Sequence, residues 1–185
     1  MTAKKTSKTD IPNWSNLKSR LAQFDRAGLV ALVHDLYAAS RDNQVFLHTR
    51  FGLCEDPISP YKRIISRCLW PSIHKNQHVS VSSAKKAISD YKKAVGAPVQ
   101  LVELMVFYCE QAAGFSAEFA FQDDAYFDAL VRMFDQALRA SMNLEMTTRD
   151  AFHQRLKAVR ETSGRFGYGV EDDMCRLLNE YGLPS

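Results

Sequence analysis

Clustered cations mark one segment of this 185-residue sequence, and cations at such density are the groups that neutralise phosphates. Between Pro57 and Val95 the sole acidic residue is Asp90. The basic residues of this segment are Lys62, Arg63, Arg67, Lys75, Lys85, Lys86, Lys92 and Lys93. On a helical wheel the lysines of the second predicted helix lie away from its apolar side, where an anionic partner could reach them.

The connection between the two basic helices adds aromatic rings to these cations. Trp70, His74 and His78 lie there, where they could stack on bases or contact phosphates. Lysine outnumbers arginine in the segment, however, and no helix-turn-helix or RNA-recognition signature is present. Nucleic-acid binding is therefore an alternative to the simpler interpretation, in which the lysines cover a solvent-facing surface.

An acidic stripe in the second half of the chain is the counterpart of the basic segment. Asp124, Asp128 and Asp135 fall on one line of a predicted helix. Arg132 and Arg139 follow the last two by four residues, the order that favours intrahelical ion pairs. We interpret the aspartates as a surface for a basic partner, either the segment described above or a second chain.

Two glutamates interrupt the most apolar segment of the sequence. Glu103 and Glu110 are seven residues apart, and residues 96–98 are the only link between their helix and the lysine-rich helix before it. The two helices should therefore pack antiparallel. We expect the glutamates to face Lys86 or Lys93, or a second subunit, because a buried carboxylate is costly without a partner.

Metal ligands are present in the sequence, but their spacing is incomplete. Cys54, Cys68, His74 and His78 form a C-x13-C-x5-H-x3-H pattern, which lacks the paired cysteines of a zinc knuckle. Asp150 and His153 are spaced as ligands on one helix and could join the two glutamates. A di-iron bundle needs two Glu-x-x-His motifs, and the sequence has none. We expect no metal and no cofactor.

Signatures of nucleophilic or nucleotide chemistry are also missing from the sequence. There is no G-x-S-x-G elbow, P-loop or G-x-G-x-x-G, and the glycines of residues 164–169 join two predicted helices. A cysteine and a histidine brought together only by the fold remain an open alternative. The sequence favours a protein that is not an enzyme.

The elements that position these residues are helices, because apolar residues recur at helical spacing and no period-2 alternation is found. Asp25 is predicted to cap the second helix, and Val99–Ala113 is predicted to be the central, most buried one. Short loops favour antiparallel neighbours. The prediction is an all-α fold of eight or nine helices, either a single-domain bundle or a short stack of antiparallel hairpins.

Composition limits the organisation of the chain. Apolar residues make up 46% and charged residues 24%, which is ordinary for one globular domain. We predict a disordered basic tail over residues 1–11 and one helical domain over residues 12–185.

No apolar run is long enough to span a bilayer, and no secretory signal is present. The scattered cysteines favour a reducing compartment, which we take to be the cytoplasm of a bacterium.

Several blocks of the sequence resemble a family of small, all-helical bacterial proteins of unknown function. The resemblance extends from Leu29 to Met142, and it lies in the spacing of core residues. It is carried by LVALVHDLYAASRDNQVFL, SPYKRIISRCLWP, SSAKKAISDYKKAVG and LVELMVFYCEQAAGF. The resemblance implies a helical fold and brings no catalytic residue with it.

Charge asymmetry leads to the functional hypothesis. Residues 1–100 have a net charge of +9 and residues 101–185 a net charge of −6. We expect a non-enzymatic protein–protein interaction module, which could self-associate through its basic and acidic surfaces. The alternatives are a nucleic-acid-binding protein that uses residues 57–95, and a metal-dependent enzyme.

Overall fold

The structure is a computed structural model that describes residues 13–72 and 77–183. All regular secondary structure in these ranges is α-helical, so the predicted all-α fold is confirmed. The nine helices of the described residues are α1 (Trp14–Leu21), α2 (Arg26–Ala39), α3 (Arg41–Arg50), α4 (Ser59–Leu69), α5 (Val81–Ala94), α6 (Pro98–Phe119), α7 (Asp124–Ser141), α8 (Met146–Ser163) and α9 (Val170–Glu180). The predicted tail over residues 1–11 lies outside the described residues.

The chain divides into two compact units between Gln44 and Val45, within α3. The first unit contains α1, α2 and the start of α3. The second contains the rest of α3 and the helices α4 to α9. The extent of the predicted domain, residues 12–185, stays a prediction.

Helix α6 is the centre of the second unit. It packs against α4, α5, α7 and α8, and α9 closes the far side by packing on α7 and α8. Leu104 and Tyr108 of α6 are completely buried, as are Phe134 of α7 and Leu156 of α8. The prediction that this segment forms the central helix is confirmed.

Local sequence signals explain where several helices begin. Asp25 caps α2 by accepting a hydrogen bond from the Gly28 amide at 2.7 Å, as predicted, and Asp123 caps α7 in the same way. Prolines at positions 60 and 98 lie in the first turns of α4 and α6, where a missing amide hydrogen has no cost.

The end of α6 differs from the sequence prediction. The helix continues through Gly114 and ends at Phe119, where Ala120 adopts a left-handed conformation with φ of 49°. Although α6 is long and apolar, none of the described helices has both the length and the apolar character needed to cross a membrane.

Candidate functional site

A network of four charged side chains lies where α4, α6 and α8 meet. The guanidinium of Arg155 on α8 reaches both glutamates of α6. Its Nε donates to Glu110 Oε1 at 2.7 Å and its Nη2 donates to Glu110 Oε2 at 2.9 Å. Its Nη1 donates to Glu103, and Lys62 of α4 donates to the same carboxylate at 2.6 Å. One arginine and one lysine therefore join three helices through two carboxylates.

The environment of the network strengthens these pairs. The side chains of the four residues are between 18% and 34% exposed, so water screens them only in part. Burial would raise the pKa of Glu103, but the hydrogen bonds from Arg155 and Lys62 outweigh it and hold that pKa below its ordinary value. The hydrogen bond to Glu110 raises the pKa of Arg155.

The partners of the glutamates differ from those expected from the sequence. Lys62 and Arg155 bind them, whereas Lys86 forms an ion pair with Asp90 within α5 at 2.6 Å. Sequence reasoning missed Arg155 because it lies 45 residues beyond Glu110 and only the fold brings them together. Both carboxylates are paired with cations, so the network joins α4, α6 and α8.

The predicted basic surface is present only in part. Lys62 belongs to the network and Lys85 is half-buried on α5. Four of the predicted basic residues are exposed and form no ion pair with an acidic side chain of the described residues: Arg63, Arg67, Lys92 and Lys93. These four occupy α4 and α5, which pack against each other. Lys75 lies outside the described residues.

The side-chain rings predicted to stack on bases differ in how far they are buried. Trp70 is half-buried and packs edge to face on Phe115 and Phe119, with ring centroids 6.3 and 6.4 Å apart. His78 is exposed, and His74 lies outside the described residues. Trp70 therefore belongs to the edge of the core.

The acidic stripe is largely neutralised by its own helix. Asp128 pairs with Arg132 at 2.9 Å and Asp135 pairs with Arg139 at 3.4 Å, so both predicted intrahelical pairs are confirmed. The hydroxyl of Tyr181 also donates to Asp135. Asp124, in the first turn of α7, is exposed.

The cysteines and histidines do not assemble into a cluster in the described part of the chain. Cys68 is buried, Cys54 is half-buried, and all four cysteines keep their thiols. Residues 13–72 and 77–183 contain no group of three or more histidine, cysteine or acidic side chains placed to hold a metal ion.

His153, a possible ligand in the sequence, instead forms a buried pair with a serine. Its Nε2 lies 2.8 Å from Ser141 Oγ, and that hydroxyl donates to the Leu138 carbonyl at 2.7 Å. The imidazole therefore donates to the serine, and its Nδ1 has no partner among the described residues. Burial lowers the pKa of His153. The serine proton points away from the imidazole, which is the reverse of the arrangement that activates a nucleophile.

Large apolar side chains remain exposed on α1, α2 and the turn between them, at spacings typical of a core-facing helix. We call these residues the amino-terminal apolar surface: Trp14, Leu17, Phe24, Leu29, Val30, Val33 and Leu36. Each is between 40% and 67% exposed, and neither α1 nor α2 contributes a buried residue. Helical periodicity finds these residues in the sequence but does not show whether their own chain covers them.

Comparisons with known proteins extend the resemblance seen in the sequence. The chain matches a family of unknown function, DUF6155, over residues 13–182. No curated protein and no solved structure matches it. The match begins before Leu29 and ends after Met142, so it includes α1 and both carboxyl-terminal helices.

Proposed function

The chain belongs to this family of unknown function, and because the family carries no activity with it, we propose from the chain's own residues that the protein is a non-enzymatic protein–protein interaction module. Its contact element is the amino-terminal apolar surface. The observation that carries the proposal is that seven large apolar side chains on 23 consecutive residues, from Trp14 to Leu36, are exposed.

Exposure of this kind is unfavourable for an isolated chain in water. Contiguous apolar patches on soluble proteins mark places where another molecule binds. In addition, an unsupported helix shorter than about 12–15 residues is marginal in water, and α1 has 8 residues and α2 has 14. A bound partner would supply the packing that these two helices lack within their own unit.

The charged surfaces predicted from the sequence are a weaker contact element. Lys62 and Lys86 are engaged by acids of their own chain, and Asp128 and Asp135 are engaged by arginines. Pairs between exposed groups contribute at most about 1 kcal/mol each. We propose that the remaining charges orient a partner and that the apolar surface holds it.

A test of this proposal is photo-crosslinking in cells that express the full chain. A photo-reactive amino acid replaces Val33, and the matched control replaces Gln136, which is exposed on α7. We expect intermolecular protein adducts from position 33 and none from position 136. Crosslinks from position 33 that stay within one chain, or no crosslinks, would reject the proposal.

A second candidate function is nucleic-acid binding, favoured by the exposed cations of α4 and α5. Phosphate contacts would make such binding strongest at low salt. We expect retention on heparin near about 50 mM salt if this function is real, and its loss in the variant with Lys92→Glu and Lys93→Glu. The variant with Arg132→Glu and Arg139→Glu makes the same change in charge on α7 and serves as the control.

The compartment and source also stay proposals. We propose the cytoplasm of a bacterium. The four cysteines, which keep their thiols, support the reducing compartment.

A further inference from the structure

Helix α2 has a broad apolar side that is suited to pairing with another helix. Leu29, Val33 and Leu36 follow the spacing of a helix-pairing seam. The positions beside this seam are also apolar and include Val30 and Leu32. His34 and Asp35 lie on the opposite side of the helix. No charge therefore opposes close approach of a second apolar helix between Leu29 and Ala39.

The charges at the ends of α2 favour an antiparallel neighbour. Arg26 lies one heptad before Val33, at the amino-terminal end of the same seam. The last turn of α2 contains no basic residue, and the two charged residues just after the helix, Arg41 and Asp42, have opposite signs. Carbonyl groups therefore leave this end of the helix with a partial negative charge. In an antiparallel pair of identical helices, each Arg26 approaches the carboxyl-terminal turn of the other α2. In a parallel pair the two copies of Arg26 would meet and repel.

The size of the amino-terminal apolar surface fits a dimer. An aromatic side chain buries about 150–250 Å² when it is fully covered and an aliphatic one buries less, so these seven half-exposed residues present several hundred Å² of apolar area. A stable interface buries about 800 Å² on each partner, of which somewhat more than half is apolar. Interfaces between identical chains are the more apolar class, and among aspartate, glutamate, lysine and arginine α2 contains only Arg26 and Asp35.

We propose that a second copy of this chain covers the amino-terminal apolar surface, with the two copies of α2 packed antiparallel across a two-fold axis near Val33. This inference rests on the proposed function, because it names the partner of the same surface. A two-fold axis lets one surface satisfy both copies and closes the assembly at two chains.

Sedimentation equilibrium of the full chain tests the partner. From about 1 to 100 µM we expect a species of twice the 21.0 kDa chain mass. Val33→Asp should weaken the dimer by at least about 100-fold, because it buries two carboxylates beside the axis. Gln136→Asp adds the same charge on α7 and should leave the dimer intact. A monomeric wild-type chain, or a dimer unaffected by Val33→Asp, would overturn the proposal.

Engineered cysteines test the orientation in the same protein. A cysteine replacing Val33 lies near the axis and should form a disulfide-linked dimer under mild oxidation. A cysteine replacing Ala39 should not, because antiparallel packing separates the two copies by about 20 Å along the helix. Wild-type protein controls for the four native cysteines. Crosslinking at both positions would overturn the antiparallel arrangement.

The two proposals fail in different ways. A monomeric protein whose position 33 crosslinks to a different protein would reject the second copy and retain the interaction module. A monomeric protein with no intermolecular crosslink from position 33 would reject both.

Discussion

The indole of Trp70 lies directly against Gly114 of α6. A Cβ atom at position 114 would stand 2.6 Å from the indole Cζ3 atom, closer than real Cβ contacts come. The absence of a side chain at Gly114 is therefore what lets Trp70 pack at the junction of α4 and α6, next to Phe115 and Phe119.

Gly114→Ala should destabilise the protein even though alanine is the better helix former. Helix propensity favours alanine by about 1 kcal/mol, while overpacking a fitted site costs about 1–3 kcal/mol. We expect a lower urea midpoint for unfolding. The same substitution combined with Trp70→Leu removes the clash, so it should cost less than in the wild-type background. A Gly114→Ala variant more stable than wild type would show that Trp70 can move aside.

Arg155→Ala should destabilise the junction of α4, α6 and α8. Removal of the guanidinium leaves Glu110 without a cationic partner among the described residues and leaves Glu103 paired with Lys62 alone. Both carboxylates are partly buried. We expect a loss of about 1–3 kcal/mol in the free energy of unfolding. Arg132→Ala breaks an exposed intrahelical pair and should cost less than about 1 kcal/mol. Equal losses in the two variants would contradict a special role for Arg155.

Acid should weaken the protein through His153. Burial lowers the pKa of this imidazole in the folded state, whereas in the unfolded chain it titrates near 6.5. Its contribution to stability is therefore complete above pH 6.5 and declines as the pH falls below that value. We expect a lower urea midpoint at about pH 5 than at about pH 8, and a smaller decrease for His153→Gln. An equal decrease in both proteins would assign the effect to other groups.

Salt should leave the proposed dimer intact. An apolar contact does not weaken when the ionic strength rises from about 50 to about 500 mM, whereas contacts between exposed opposite charges are screened. We expect the same mass in sedimentation at both salt concentrations. Dissociation at high salt would instead favour association through Lys92, Lys93 and the aspartates of α7.

Local signals account for the parts of the fold that were predicted correctly. Asp25 and Asp123 act within three residues of their own positions, and helical periodicity marks α6 without reference to the rest of the chain. The carboxyl-terminal end of α6 was missed because Gly114 is typical of a helix end. In the structure Gly114 instead leaves room for the indole of Trp70, which lies 44 residues earlier in the chain.

The candidate site was less predictable because its contacts join residues that are distant in sequence. Glu103 and Arg155 are 52 residues apart, and no short-range pattern links a glutamate to a particular arginine. The apolar spacing of α2 is the same whether its own core or another molecule covers Leu29 and Val33. Periodicity identifies an apolar side of a helix but not the surface that packs against it.

The position of Arg155 between two glutamates also sets the axial alignment of α8 along α6. Glu103 and Glu110 are separated by two helical turns, about 10.5 Å, and a single guanidinium reaches both only when the helices are correctly aligned. A slip of α8 by one turn, about 5.4 Å, would carry the cation away from one of the carboxylates. Apolar side chains alone tolerate such a slip more readily, so the charged network fixes the register of α8 against α6.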